Sequence, residues 1–129
     1  MDRTSTSWGA SAYAVVVGTL VVLVDQVTKA AWAGSVNREF HLGAFSGPRM
    51  VMVAMMAAVL GLVVLYLPSR APDWAVGLIA GGVASNLIDR ALHEGVRDFI
   101  SGHWIVFNVA DVAVFVGLAA WLVSSTRRR

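Results

Sequence analysis

Apolar residues fill the chain in four long stretches separated by short polar segments. The first runs from about Trp8 to Ala33, around AYAVVVGTLVVLV. The second, MVMVAMMAAVLGLVVLYL at 50–67, holds no charged residue. The third extends from about Trp74 to Leu92, and the fourth is WIVFNVADVAVFVGLAAWLV at 104–123. A helix needs about 20 mostly apolar residues to cross a bilayer. The pattern therefore predicts an all-α integral membrane fold, with four transmembrane helices over 8–33, 50–67, 74–92 and 104–123. Residues 1–129 then form a single four-helix domain. PSRAPD is a Pro-bounded turn between the second and third spans. The longer polar connections are 34–49 and 93–103. Tryptophans 8, 32, 74, 104 and 121 fall near the span ends, where indole rings anchor at the interface.

Composition agrees with this pattern. The chain is 57% hydrophobic and 14% charged, whereas soluble domains carry about 25% charged residues. Without cysteine, disulfides, thiolate metal sites and a Cys nucleophile are excluded. Net charge is only +2, and three of the ten basic residues are Arg127, Arg128 and Arg129. No basic patch is interleaved with aromatics, so no nucleic-acid partner is expected. Arg3, the apolar run after it and AWAGS at 31–35 loosely resemble a cleavable signal peptide. Asp25, Gln26 and Lys29 interrupt that pattern, so a retained first helix is expected. Four spans put both termini on one side. The arginine triplet beside the last span places that side in the cytoplasm.

The spans contain costly polar residues at helical spacing. Asp25 and Lys29 are four apart, Asn86 lies three and four before Asp89 and Arg90, and Asn108 and Asp111 are three apart. Each set shares one helical face. Asp25 and Asn86 lie near the ends of odd-numbered spans and Asp111 near the start of an even-numbered one. In an up-down-up-down bundle these ends meet. At about 1.5 Å per residue all three lie roughly 9–12 Å below one surface, the outer one. The connections 34–49 and 93–103 emerge on the same side and form a mouth there. Asp98, in the second connection, can fold over the cluster toward Asp111. Polar residues at depth usually face the bundle interior or a wet cavity and mark function.

Structural readings stand beside the functional one. Asp25 with Lys29 can be an intrahelical ion pair, Asp89 with Arg90 an interfacial pair, and Asn86 and Asn108 interhelical hydrogen-bonding glue. Asp111 has no basic residue three or four positions away. His41, His93 and His103 share the outer side, but no metal-binding spacing such as HExxH accompanies them, and no metal is expected. A GxSxG elbow is absent too. Lys29 is the only lysine, with Ser35 and Ser85 the serines weighed for a Ser–Lys dyad, and neither is otherwise supported. Carboxylates and amides dominate the outer face. Two neighbouring carboxylates do not both ionise readily, so one can serve as base and the other as acid. Such a pair can activate water against a peptide carbonyl without a covalent intermediate or a cofactor. Asp98 and Asp111 are the candidates.

Four motifs occur in order: DQVTK at 25–29, GGVASNLIDR at 81–90, VRDF at 96–99 and FNVAD at 107–111. Together they resemble the lipoprotein signal peptidases, the signal peptidase II family of four-helix aspartyl proteases of the bacterial inner membrane. The resemblance spans nearly the whole chain. It implies cleavage of the signal peptide from a prolipoprotein just before a lipid-modified cysteine. Asp98 and Asp111 match the catalytic aspartates. Asp25, Lys29, Asn86, Asp89, Arg90, Asn108 and Gly43 match residues that support the site or substrate. The expected partners are lipidated signal peptides, reaching an outer-face site sideways between helices, and membrane lipids. A monomer is favoured. The chain departs from the family at three places. FHLGAFSG puts His41 where the family's Asn-x-Gly-Ala motif begins, Ser85 replaces a glycine, and only twelve residues separate Asp98 from Asp111. Two other classes remain open: a small proton-coupled transporter, and a non-catalytic binder of lipidated peptides.

Overall fold

The structure is a computed structural model that describes residues 4–32, 35–37, 49–93, 96–98, 100–101 and 106–128, with side chains over 12–31, 50–93 and 108–128. The order is α1 (Thr4–Trp32), β1 (Ser35–Asn37), α2 (Arg49–Tyr66), α3 (Asp73–Leu92), β2 (Val96–Asp98), β3 (Ile100–Ser101), β4 (Val106–Phe107) and α4 (Val109–Thr126). All four helices are long and apolar enough to cross a membrane. Outward-facing Leu65 and Phe115 remain 76% and 75% exposed, as residues facing lipid would be.

Prolines set the break between α2 and α3. A 3-10 turn over Leu67–Ser69 has Pro68 in its first positions. The amides of Arg70 and Ala71 both donate to the Leu67 carbonyl at 2.9 Å. Pro72 is extended (φ −60°, ψ 146°) and precedes the first residue of α3. Proline lacks the amide that a continuing helix needs and disfavours helical backbone before it.

The third helix is the hub. Over its span 56% is buried, against 11% for the first span and 17% for the second and fourth. The other three helices all pack on it. Met56, Ile79 and Val83 form the apolar core between α2 and α3, extended by Leu60, Val63, Leu87 and Val114. Elsewhere the backbones approach closely. A methyl group on Gly81 would lie 2.6 Å from the Gly18 carbonyl of α1, and one on Gly82 would lie 2.5 Å from the Ala110 carbonyl of α4. Small residues permit this approach where lipid supplies no hydrophobic drive between helices.

The helical class stands, but the connections add two short antiparallel ladders. β1 pairs with β2, setting Ser35 opposite Asp98. β3 pairs with β4, setting Ile100 opposite Phe107. The ends of the two polar connections are therefore joined to each other, and β2 also lies against α3. The fourth helix differs from its expected start at 104. Val106 and Phe107 are in β4, and the helix begins at Val109. A short apolar run rich in β-branched and aromatic residues suits a strand as well as a helix. Asp111 thus lies in the first turn of α4, nearer its start than a helix beginning at 104 would put it.

Candidate functional site

The beginning of α4 builds the first part of the site. Asn108 is its N-cap, in extended backbone (φ −136°, ψ 177°). Its Oδ1 accepts the Asp111 amide at 2.9 Å, and Asp111 Oδ2 accepts the Asn108 amide at 3.2 Å. This reciprocal capping box satisfies two amides that the helix cannot bond internally. It also fixes the Asp111 side chain. Asp111 Oδ1 accepts from Asn86 Nδ2 on α3 at 2.9 Å. Both carboxylate oxygens are therefore held by N–H donors.

Behind Asp111 the network is buried. Asn86 Oδ1 accepts from Asn108 Nδ2 at 3.2 Å and from Lys29 Nζ at 3.1 Å. The Lys29 ammonium also pairs with Asp25 Oδ2 at 2.5 Å and Asp89 Oδ2 at 3.0 Å. Its three donors thus meet three acceptors, which is how a lysine can be buried in apolar surroundings. Asp25 Oδ1 accepts the Ala110 amide of α4 at 2.8 Å, and its Oδ2 accepts from Ser85 Oγ at 2.6 Å. Gln26 Nε2 donates to Ser85 Oγ and to Asp89 Oδ1, both at 2.9 Å. Asp25, Lys29, Ser85, Asn86, Asp89 and Asn108 are all buried, whereas Asp111 is half-buried. The support is buried and the carboxylate it holds is more exposed.

Of the residues singled out in the sequence, Asp25, Lys29, Asn86, Asp89, Asn108 and Asp111 converge in this one network. Arg90 is buried and reaches α2, where its Nη1 donates to Met52 Sδ at 3.5 Å. Asp98 is given by its backbone, which ends β2 opposite Ser35. Gly43 and His41 lie outside the described residues. The Asp25–Lys29 pair is intrahelical, as its structural reading expects, yet it also bonds to two other helices. Gln26 and Ser85 are members that the sequence reading did not place in the site. Gln26 directly follows Asp25. Ser85 lies four residues before Asp89 and continues the spacing of Gly77 and Gly81, which is a signal for one packed face.

Chemically, a carboxylate oriented by amide donors, and partly open to its surroundings, can accept a proton from water or give one to a leaving group. The polar groups cluster where the ends of α1 and α3 meet the start of α4. A midplane transport site open to both sides does not match that one-ended placement.

Residues 36–127 match a family model described as signal peptidase (SPase) II. A lipoprotein signal peptidase of Methylorubrum extorquens (strain PA1) is 34% identical, with 98% of this chain and 80% of that protein aligned. One from Leifsonia xyli subsp. xyli (strain CTCB07) is 31% identical, over 98% of this chain and 72% of its own length. A solved bacterial membrane enzyme, obtained by the in meso method at 2.3 Å resolution, superposes with a TM-score of 0.77 at 22% identity. That superposition covers 88% of this chain and 87% of the other, and it concerns the fold.

Proposed function

Because the chain belongs to the signal peptidase II family, and is thus a protease and a multi-pass bacterial membrane protein, we propose that it removes signal peptides from lipid-modified prolipoproteins by aspartyl chemistry. Asp98 and Asp111 form the reacting pair. One carboxylate takes a proton from water as the water oxygen bonds to the scissile carbonyl carbon. The other, protonated, gives its proton to the amide nitrogen as the C–N bond breaks. No covalent intermediate and no cofactor enter these steps. The observation that carries the reading is the double hold on Asp111, from Asn86 Nδ2 and the Asn108 amide.

The remaining parts follow from the same reading. The whole chain acts as one peptidase domain and as a monomer. Both termini are cytoplasmic and the site opens toward the outer face, at about the depth of the scissile bond of a lipid-anchored substrate. That substrate reaches the site sideways between helices, because its acyl chains and signal helix stay in the bilayer. Gly43 and Arg90 support the peptide or the dyad. The test is cleavage of a synthetic lipid-modified precursor by the purified chain. Separate Asp98→Asn and Asp111→Asn variants are expected to abolish it. Near-normal cleavage by either variant removes that residue from the dyad. Cation transport into proteoliposomes without cleavage favours a transporter instead.

A further inference from the structure

Lys29 has more partners than charge balance requires. Asp25 and Asp89 already flank its ammonium, yet its third donor reaches the neutral Asn86 Oδ1 at 3.1 Å. Asn86 is the residue that holds Asp111, through Nδ2 at 2.9 Å. Asn108 Nδ2 donates to the same Asn86 oxygen at 3.2 Å. An asparagine amide has two faces that differ only in which atom donates. With two donors against one end, one of them a cation, only one orientation is attractive. If the amide were flipped, its NH2 group would face the ammonium and its oxygen would face the Asp111 carboxylate. Both contacts would then be repulsive, in a site where repulsion is weakly screened.

We propose that Lys29 is a positioning residue for the Asp111 carboxylate, acting through the orientation of the Asn86 amide. The role of that carboxylate in cleavage rests on the function proposed above. The hold of Lys29 on Asn86 does not. The competing structural role is charge balance alone, in which Lys29 only neutralises Asp25 and Asp89.

Lys29→Met alone removes the cation shared by two buried carboxylates and can fail to fold, so the informative variant is balanced. Lys29→Met with Asp89→Asn removes one charge of each sign, and Asp89→Asn is its reference. Full-length protein in detergent is assayed with a lipid-modified precursor peptide. Relative to the reference, kcat is expected to fall about 10- to 100-fold, the range typical of lost supporting groups, with KM within about threefold. In an Asn86→Leu background the same Lys29 change is expected to cost less than about threefold further, because its route to Asp111 is already cut. Equal kcat for the balanced variant and its reference overturns the proposal. So do losses from Lys29→Met and Asn86→Leu that simply multiply.

A second readout does not depend on activity. The Asn86 side-chain amide signals in NMR are identified by their loss in Asn86→Leu. One of the two protons is expected at low field, bonded to the carboxylate, in wild type and in Asp89→Asn. Asn108 Nδ2 still faces the Asn86 oxygen in the balanced variant, so the low-field signal is expected to broaden and move upfield there as the amide is held less firmly, and an unchanged signal overturns the proposal. Absence of wild-type cleavage, or normal cleavage by Asp111→Asn, sinks the peptidase reading instead. The amide signal still decides whether Lys29 orients Asn86.

Discussion

Asp25, on the first helix, accepts the backbone amide of Ala110, in the first turn of the fourth helix, at 2.8 Å. The two residues are 85 positions apart. The N-terminus of α4 is thus capped locally by Asn108 and from across the bundle by a carboxylate, a favoured charge at that end of a helix. Asp25→Leu leaves that amide and part of the Lys29 charge unpaired. A loss of about 3–5 kcal/mol in unfolding free energy is expected. Asp25→Asn keeps an acceptor for Ala110 and is expected to lose about half as much, as for a weakened charged hydrogen bond. Equilibrium unfolding in mixed micelles measures both, and equal stabilities for the three proteins would contradict the capping role.

Asp111→Asn separates chemistry from architecture. An asparagine oxygen can accept the amide of Asn108, but its NH2 group then faces Asn86 Nδ2, so a modest loss of about 1–2 kcal/mol is expected with the fold retained. Cleavage is expected to fall by about 10²-fold or more, the scale of a lost general acid or base. A variant that unfolds as it loses activity would not separate the two roles as expected.

Asn108 has two jobs on different atoms. Its Oδ1 caps α4 and its Nδ2 donates to Asn86. Asn108→Ser retains a capping oxygen and is expected to stay within about 0.5 kcal/mol of wild type, whereas Asn108→Ala is expected to lose about 1–2 kcal/mol. Both lose the donor to Asn86, so both are expected to show reduced kcat. Full activity in Asn108→Ser would show that the Nδ2 contact is dispensable.

Two glycines give opposite expectations. A methyl group at Gly81 would collide with the Gly18 backbone, while at Gly61 nothing lies within 4 Å. Gly81→Ala is expected to destabilise by about 1–3 kcal/mol, because α1 must move off α3. Gly61→Ala is expected to be neutral or to stabilise by up to about 1 kcal/mol through helix propensity. Similar effects from the two substitutions would argue against backbone contact as the basis of the α1–α3 interface.

The four helices were legible because sustained apolar runs leave few alternatives in a chain of this length. The convergence of Asp25, Asn86 and Asp111 was legible because three- and four-residue spacing fixes a face and an up-down topology fixes depth. The start of α4 was not, since Val106 and Phe107 suit either secondary structure and their strand partner lies outside their own segment. Ser85 and Gln26 were missed for another reason. Neither carries a charge; spacing puts Ser85 on the packed face of α3, but its bond to Gln26 joins residues 59 positions apart, and that pairing is not encoded locally. The pairing of Ser35 with Asp98 has the same character, being set by the meeting of two distant connections.

The close packing of α1 on α3 leaves one freedom open. Small residues repeat along the contact, and a repeat of this kind tolerates sliding by one helical turn, about 5.4 Å. The buried charges remove that freedom. Moved by a turn, Lys29 would keep only Asp25 on its own helix and lose both Asp89 and Asn86 on α3. The network that steadies Asp111 therefore also selects the alignment in which the helices assemble. A chain whose helices insert but dock out of register would lack a formed site, so this single network ties correct assembly in the bilayer to a formed site.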